Sequence, residues 1–285
     1  MSAFPTSRYP ASAETYEQIK ENWSAKVIEA VKNNLVCVGA FDTTWKSDLA
    51  KGDILHIPVG SSLTAYAVDP TDDYAGGINE DWGATAETIT VDSWYACPVQ
   101  IDDGTAAQTQ ITDIVNRLSV RAAYEINAVI DKDVNALYSS LTSTWAGSDG
   151  QDFTDDLCIE LMEGLDEAGV PRSGRKYIVD PSCIADMYKI DKFINRDYSR
   201  TLSGEMGSTP YGDPILVTNN LTAATTGAGA MYAHTSAIGI VIQKTFPTSV
   251  HVWHERYSHV IDSQAIWGAD VVRSTFGAYF YTRKK

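Results

Sequence analysis

Long apolar runs are missing from this sequence. No stretch approaches the ~18 consecutive apolar residues of a membrane span, and the opening MSAFPTSRYP lacks the basic-then-apolar pattern of a secretory signal. The expectation is a folded chain made and kept in a cytoplasm, with no membrane partner. Cysteine is sparse: Cys37, Cys97, Cys158 and Cys183 stand far apart with no C-x-x-C pair, which argues against a disulfide framework or zinc knuckle and predicts scattered structural thiols. Basic side chains are outnumbered, 22 against 37 acidic, giving a net charge of −15. That field opposes binding driven by release of counterions from a phosphate backbone. Catalytic signatures are missing too: there is no G-x-S-x-G elbow, no phosphate loop ending in G-K-[ST] and no strand-coupled G-x-G-x-x-G. The chain is read as not an enzyme, with no catalytic, cofactor-binding or metal residue assigned and no cofactor.

What is present is a large apolar fraction, 44% of 285 residues, enough for one large core or two modest ones. After a polar lead, Tyr16, Ile19, Trp23, Val27, Val31 and Leu35 recur at steps of three and four behind Ser12, which predicts an amphipathic helix. The period then becomes two. Leu55, Ile57 and Val59 form one arm, and Ile89, Val91, Tyr95, Cys97, Val99 and Ile101 share one face of a second, joined by the turn-rich DPTDDYAGGINEDWGAT. From Ile111 the apolar positions Val115, Leu118, Ala122, Ile126, Ile130, Val134, Leu137 and Leu141 predict a spine helix, reaching from Thr105 to Leu141 and roughly 55 Å long. The next block is α/β in texture. Thr154 heads the helix DDLCIELMEGLDEA, stopped by Gly169 and Pro171, RKYIVD reads as a strand, and Asp180 and Pro181 open another helix. PILVTNNL, SAIGIVIQK, DSQAIWGADVVR and FGAYFYTR supply further strands.

Two stretches imitate metal sites. SVHVWHERYSH holds three of the five histidines, and read as one strand its alternation puts His251, Trp253, Glu255, Tyr257 and His259 on one side and His254 on the other. The helical i, i+4 spacing of a catalytic zinc site is absent, so a polar and aromatic strand is the better reading, and a hydrolase using His251, Glu255 and His259 is the alternative of a different class. Asp69 to Glu80 mimics a calcium loop, but its sixth position, which needs glycine for the sharp turn, is Tyr74. The acidic pairs Asp72-Asp73, Asp102-Asp103 and Asp155-Asp156 fit turns and helix starts, and His56 and His234 receive no role.

The order of NWSAKVIEAVKNNLV, KGDILHIPVG, VPRSGRKYIVDP, YGDPILVTNNL and MYAHTSAIGIVIQK resembles the major capsid proteins of tailed bacteriophages, over nearly the whole chain. The resemblance implies an α+β class with the Hong Kong 97-like fold: an N-terminal arm and helix (1–49), an extended loop (50–100), a peripheral domain with the spine helix (101–150) and terminal strands (246–285), and an axial domain (151–245). It implies hexamers and pentamers of a shell in the virion, assembled in the host bacterial cytoplasm and enclosing double-stranded DNA without reading its sequence. Separate scaffolding, portal and decoration proteins are the implied partners, and an encapsulin-like nanocompartment is the neighbouring alternative. No long charged helical segment precedes the arm, so a fused scaffold is not expected, and no motif marks a lysine–asparagine cross-link. The excursion from Gly52 to Asp102 is expected to lie on a neighbouring subunit, uncovered by its own chain.

Overall fold

The computed structural model describes residues 35–47, 52–60, 84–102, 114–142, 147–194 and 210–283. The expected N-terminal helix, the excursion's tip with its calcium-like loop, and the first turns of the spine before 114 lie outside them. One helical turn, α1 (Cys37–Ala40), precedes β1 (Ile54–Gly60), β2 (Ala84–Thr90), β3 (Ser93–Ala96), β4 (Val99–Asp102) and the spine α2 (Ile114–Ala136). An α/β stretch follows, with α3 (Asp155–Glu167), β5 (Arg175–Val179), α4 (Pro181–Met187), α5 (Asp191–Ile194), β6 (Ile215–Val217) and β7 (Gly229–His234). The strands β8 (Ile238–Trp253), β9 (Ser258–Val271) and β10 (Gly277–Tyr281) close the order.

The spine is read correctly where it is described. Ala122, Ile126, Ile130 and Val134 are buried at steps of four along one helix face, and the helix tightens to a 3-10 turn at Leu137–Ser140 before Leu141 turns extended. Its 23 residues span about 34 Å at ~1.5 Å each. The α3 start also matches: the Thr154 hydroxyl accepts the Leu157 N–H at 3.3 Å, and Leu157, Cys158, Leu161 and Leu165 face inward. At α4 the Asp180 carboxylate accepts the N–H groups of Ser182 and Cys183 behind Pro181.

Two four-stranded sheets carry the rest. One runs β10-β7-β5-β6, with β5 and β6 parallel, over a core of Tyr177, Ile178, Met231, Tyr232 and Phe280. In the other, β9 pairs with β8 on one side and with both β3 and β4 on the other, and the spine lies across it through Trp267, whose indole N–H donates to Asp133 at 3.2 Å. A single buried cluster joins Ile126, Ile130 and Val134 to Trp267, Tyr177 and Phe280, so both sheets share one core. The terminal strands divide differently from the expected boundary at 245. β8 belongs to the β9 sheet from Ile238 onward, while β10 leaves that sheet and pairs with β7, burying Ala278 and Phe280.

The excursion requires the main correction. β1 and β2 do form an antiparallel ribbon, with Leu55 opposite Ile89 and Ile57 opposite Glu87. Its apolar face, however, is covered by the same chain: Ile57, Ile89 and Val241 form a buried cluster flanked by Trp45, Leu55, Val91 and Val272. The second arm is not one strand. It breaks after Thr90 and again around Pro98, which has no N–H to give a ladder, and both later pieces pair with β9. The residues expected to wait for a neighbour are already bonded at home.

Gly268 shows how close that packing is. A Cβ there would lie 2.1 Å from the Thr90 carbonyl oxygen, where backbone passes over backbone. Gly268→Ala is expected to destabilise the chain by about 1–3 kcal/mol in urea unfolding, and an unchanged midpoint would show that β2 and β9 separate freely. In the unassembled wild type, amide exchange at residues 93–102 is expected to be as slow as at 126–134 of the spine, with fast exchange at 93–102 counting against the pairing described here.

Candidate assembly surfaces

The histidine-rich stretch is a hairpin rather than a strand. β8 ends at Trp253, a 3-10 turn takes His254–Arg256, Tyr257 adopts the left-handed conformation at φ 47°, and β9 starts at Ser258. Val252 opposes His259 and His251 opposes Val260, so the two histidines point to opposite faces of the ribbon while Glu255 sits in the turn. The arrangement required by the hydrolase alternative is therefore not formed. Among the described residues no three histidine, cysteine or acidic side chains gather as a metal-binding group. The sequence hid the turn because its positive φ falls on tyrosine, without the Gly, Asn or Asp that normally marks such a position. The polar run His254-Glu255-Arg256 was the signal available.

The hairpin tip is instead an aromatic knob. Tyr257 is 77% exposed, Val252 and Trp253 are also exposed, and the Arg256 guanidinium stands 4.8 Å over the Trp253 ring. Two bulges in β8, at Ile242/Lys244 and Phe246/Ser249, bend the ribbon between this tip and the core, the second spanning Pro247. Further along the sheet Trp94 is 67% exposed, its indole N–H donating to Gln264 at 3.3 Å, while Tyr95 on the opposite face stacks on Trp267 at 5.1 Å.

The titratable groups are engaged in structure. Burial, and then the neighbouring Asp131, pushes the Cys37 thiol up; burial takes Cys158 up to about 11; burial and then Asp180 raise Cys183. These thiols stay protonated and unreactive near neutral pH. Cys97, half-buried, is raised by partial burial and by Glu125 and Asp262. For the Asp186 carboxylate, burial alone would raise the pKa, but hydrogen bonds from Lys189 at 2.7 Å, the Phe153 N–H at 3.4 Å and Arg283 at 3.1 Å together hold it below the usual range. Asp155, in the first turn of α3, is held low in the same way by Lys192 and Tyr211 against its own desolvation. The pair Asp155-Asp156 is thus a helix start, as its sequence setting predicts.

No protein-family model and no curated protein sequence matches the chain. Solved structures do match over nearly its full length. A structure from Mycobacterium phage Che8 superposes with a TM-score of 0.78 at 22% identity, covering 92% of this chain and 97% of that one. The capsid structure of cyanophage P-SCSP1u matches with a TM-score of 0.74 at 15% identity, covering 94% of each chain. The mature capsid of bacteriophage PhiM1 matches with a TM-score of 0.73 at 13% identity, covering 92% of this chain and 91% of that one. The ribbon, the spine helix, the α/β unit and the returning terminal strands are together the Hong Kong 97-like α+β fold that these structures share.

Proposed function

We propose that this chain is a capsid shell subunit of a tailed phage, structural rather than catalytic, which self-assembles as hexamers and pentamers into an icosahedral shell around double-stranded DNA. The observation that carries this reading is the match along nearly the whole length of both chains to phage capsid structures. In this reading α2 with β3, β4, β8 and β9 forms the peripheral unit, and α3, α4, β5, β6, β7 and β10 form the axial unit at the centre of each capsomer. Residues 1–49 act as an arm gripping the framework, and residues 50–100 form the extended loop. Scaffolding, portal and decoration proteins are separate partners, and the assembled product is the virion capsid built in the host cytoplasm.

The exposed aromatic residues support association. A free chain gains nothing from holding Tyr257 and Trp94 in water, and a contact that covers such rings gains about 1.5–3 kcal/mol for each one fully buried.

The purified protein, examined by electron microscopy across salt and pH, is expected to form closed shells. A protein that stays monomeric under all conditions would sink the reading, and closed shells with protein cargo but no nuclease-protected DNA would make it a nanocompartment instead. Tyr257→Asp is expected to abolish or sharply reduce shell formation while leaving the unfolding free energy in urea within about 0.5 kcal/mol, because the side chain is exposed and Asp tolerates the left-handed backbone. Trp23→Asp in the arm is expected to impair assembly more than folding, and assembly at the parental yield would remove the arm from the argument.

A further inference from the structure

The two sheets are joined by a short turn that a single imidazole holds in shape. Between β7 and β8 the Ala237 N–H donates to the His234 carbonyl at 2.9 Å, closing a turn over Thr235 and Ser236. His234 folds back onto it. The Ser236 N–H donates to His234 Nδ1 at 3.1 Å, and the Ser236 hydroxyl lies 2.8 Å from the same nitrogen. A ring nitrogen accepts a hydrogen bond only through its lone pair, so this bond belongs to the neutral ring with its proton on Nε2.

The turn is also where the other crossing of the chain is tied. Ala237 O accepts the N–H groups of Val272 and Arg273 at 3.0 and 3.1 Å, which binds the β9-to-β10 passage to it. On the opposite side the Thr235 N–H and hydroxyl both donate to Gly174 O, at 3.1 and 3.0 Å, just before β5. Gly174 has φ +90°, and a Cβ there would meet His234 Nε2 at 3.1 Å, so only glycine leaves this edge of the ring uncrowded. Phe276 stands edge-on to the imidazole at 5.8 Å, with the Arg273 guanidinium 4.9 Å over the other ring system. The charged groups around the imidazole are Arg175, opposite it in the β5–β7 register and turned toward Asp166, Arg273 from the β9-to-β10 passage, and Asp42, which lines the adjoining groove with Ser236 and Arg273.

We propose that this turn is a protonation-sensitive hinge: the two sheets are held in their observed relation while His234 is neutral, and a proton on Nδ1 frees the Ser236 N–H and loosens both crossings. The proton comes from solvent. On Nδ1 it occupies the lone pair that the amide used, so two donors face each other where a donor and an acceptor met, and the ring turns to the Ser236 hydroxyl alone. The hinge does not depend on the chain being a shell subunit, though a shell subunit would use it to change the angle between its two units.

The test uses the unassembled full-length chain. Nitrogen-15 spectra of the five histidines, with His234 assigned by its loss in His234→Gln, report the tautomer, while amide exchange reports the turn. At about pH 8 the proton is expected on Nε2. Between about pH 8 and about pH 5, protection at residues 235–237 is expected to fall by at least ~10-fold while protection at residues 126–134 holds. Asp42→Asn should leave that response in place, and His234→Gln should flatten it. A proton on Nδ1 at pH 8, unchanged protection across that pH range, or the same loss in His234→Gln would overturn the hinge. The wild-type exchange series decides the second outcome even if the glutamine variant does not fold.

Discussion

A carboxylate sealed in the core fixes how the parts of this chain meet. Asp131 lies on the inner face of the spine with no exposure, accepting the Cys37 N–H at 2.7 Å through one oxygen and the Asn220 side-chain amide at 3.4 Å through the other. Burying such a group without partners costs several kcal/mol, so the spine can seat only where the first described turn and the 218–222 segment both come to it. One turn further on, Asn135, equally buried, donates to Thr222 at 3.4 Å and repeats the link. Apolar packing alone would let a helix slide by a turn along a sheet. Paired polar contacts at positions 131 and 135 set its register, and the Asp133 bond to Trp267 on the neighbouring face sets its rotation.

From that register the rest follows in sequence. The spine's fixed face carries Ile126, Ile130 and Val134 onto Trp267 and Ala265, which positions β9 as the strand against which β3, β4 and β8 all pair. β9 then hands the chain to β10, which crosses into the other sheet, so one continuous core spans two sheets that only short segments connect. The shared core resists movement of one sheet against the other, which leaves local opening to those segments. At the 234–237 turn three segments share backbone hydrogen bonds with a single imidazole bracing them, so a small chemical change there acts on both crossings between the sheets.

Much of this was legible in the sequence because it rests on local rules. The α2 face was read from steps of three and four, Thr154 and Asp180 from capping chemistry, and the strand character of 238–242 from alternating isoleucines. What was missed is non-local. Nothing in FGAYFYTR states that its partner is β7 rather than β9, and nothing in the second arm of the excursion states that one edge of β9 takes both of its pieces. Alternation gave the faces of 89–101 but not their cover, so a ribbon that packs at home looked as though it needed a neighbour. The hairpin at 254–257 escaped for a different reason, a left-handed tyrosine standing where turn rules look for glycine. Asp131 could be seen only as an acidic residue interrupting the spine pattern, since a buried carboxylate is defined by partners at positions 37 and 220.

Charge and exposed aromatic surface pull in opposite directions in any association of this chain with its copies. Each copy carries −15, so like copies repel, and the repulsion extends over a Debye length of about 8 Å at physiological ionic strength. The rings at the hairpin tip and at Trp94 act only on contact, and their gain does not depend on ionic screening. Raising the salt shortens the reach of the first effect and leaves the second intact. Association built on these surfaces is therefore strengthened by salt, the opposite of what an association carried by surface ion pairs would do, and the hairpin tip's single Arg256, already occupied over Trp253, is too little cationic charge to reverse that sign.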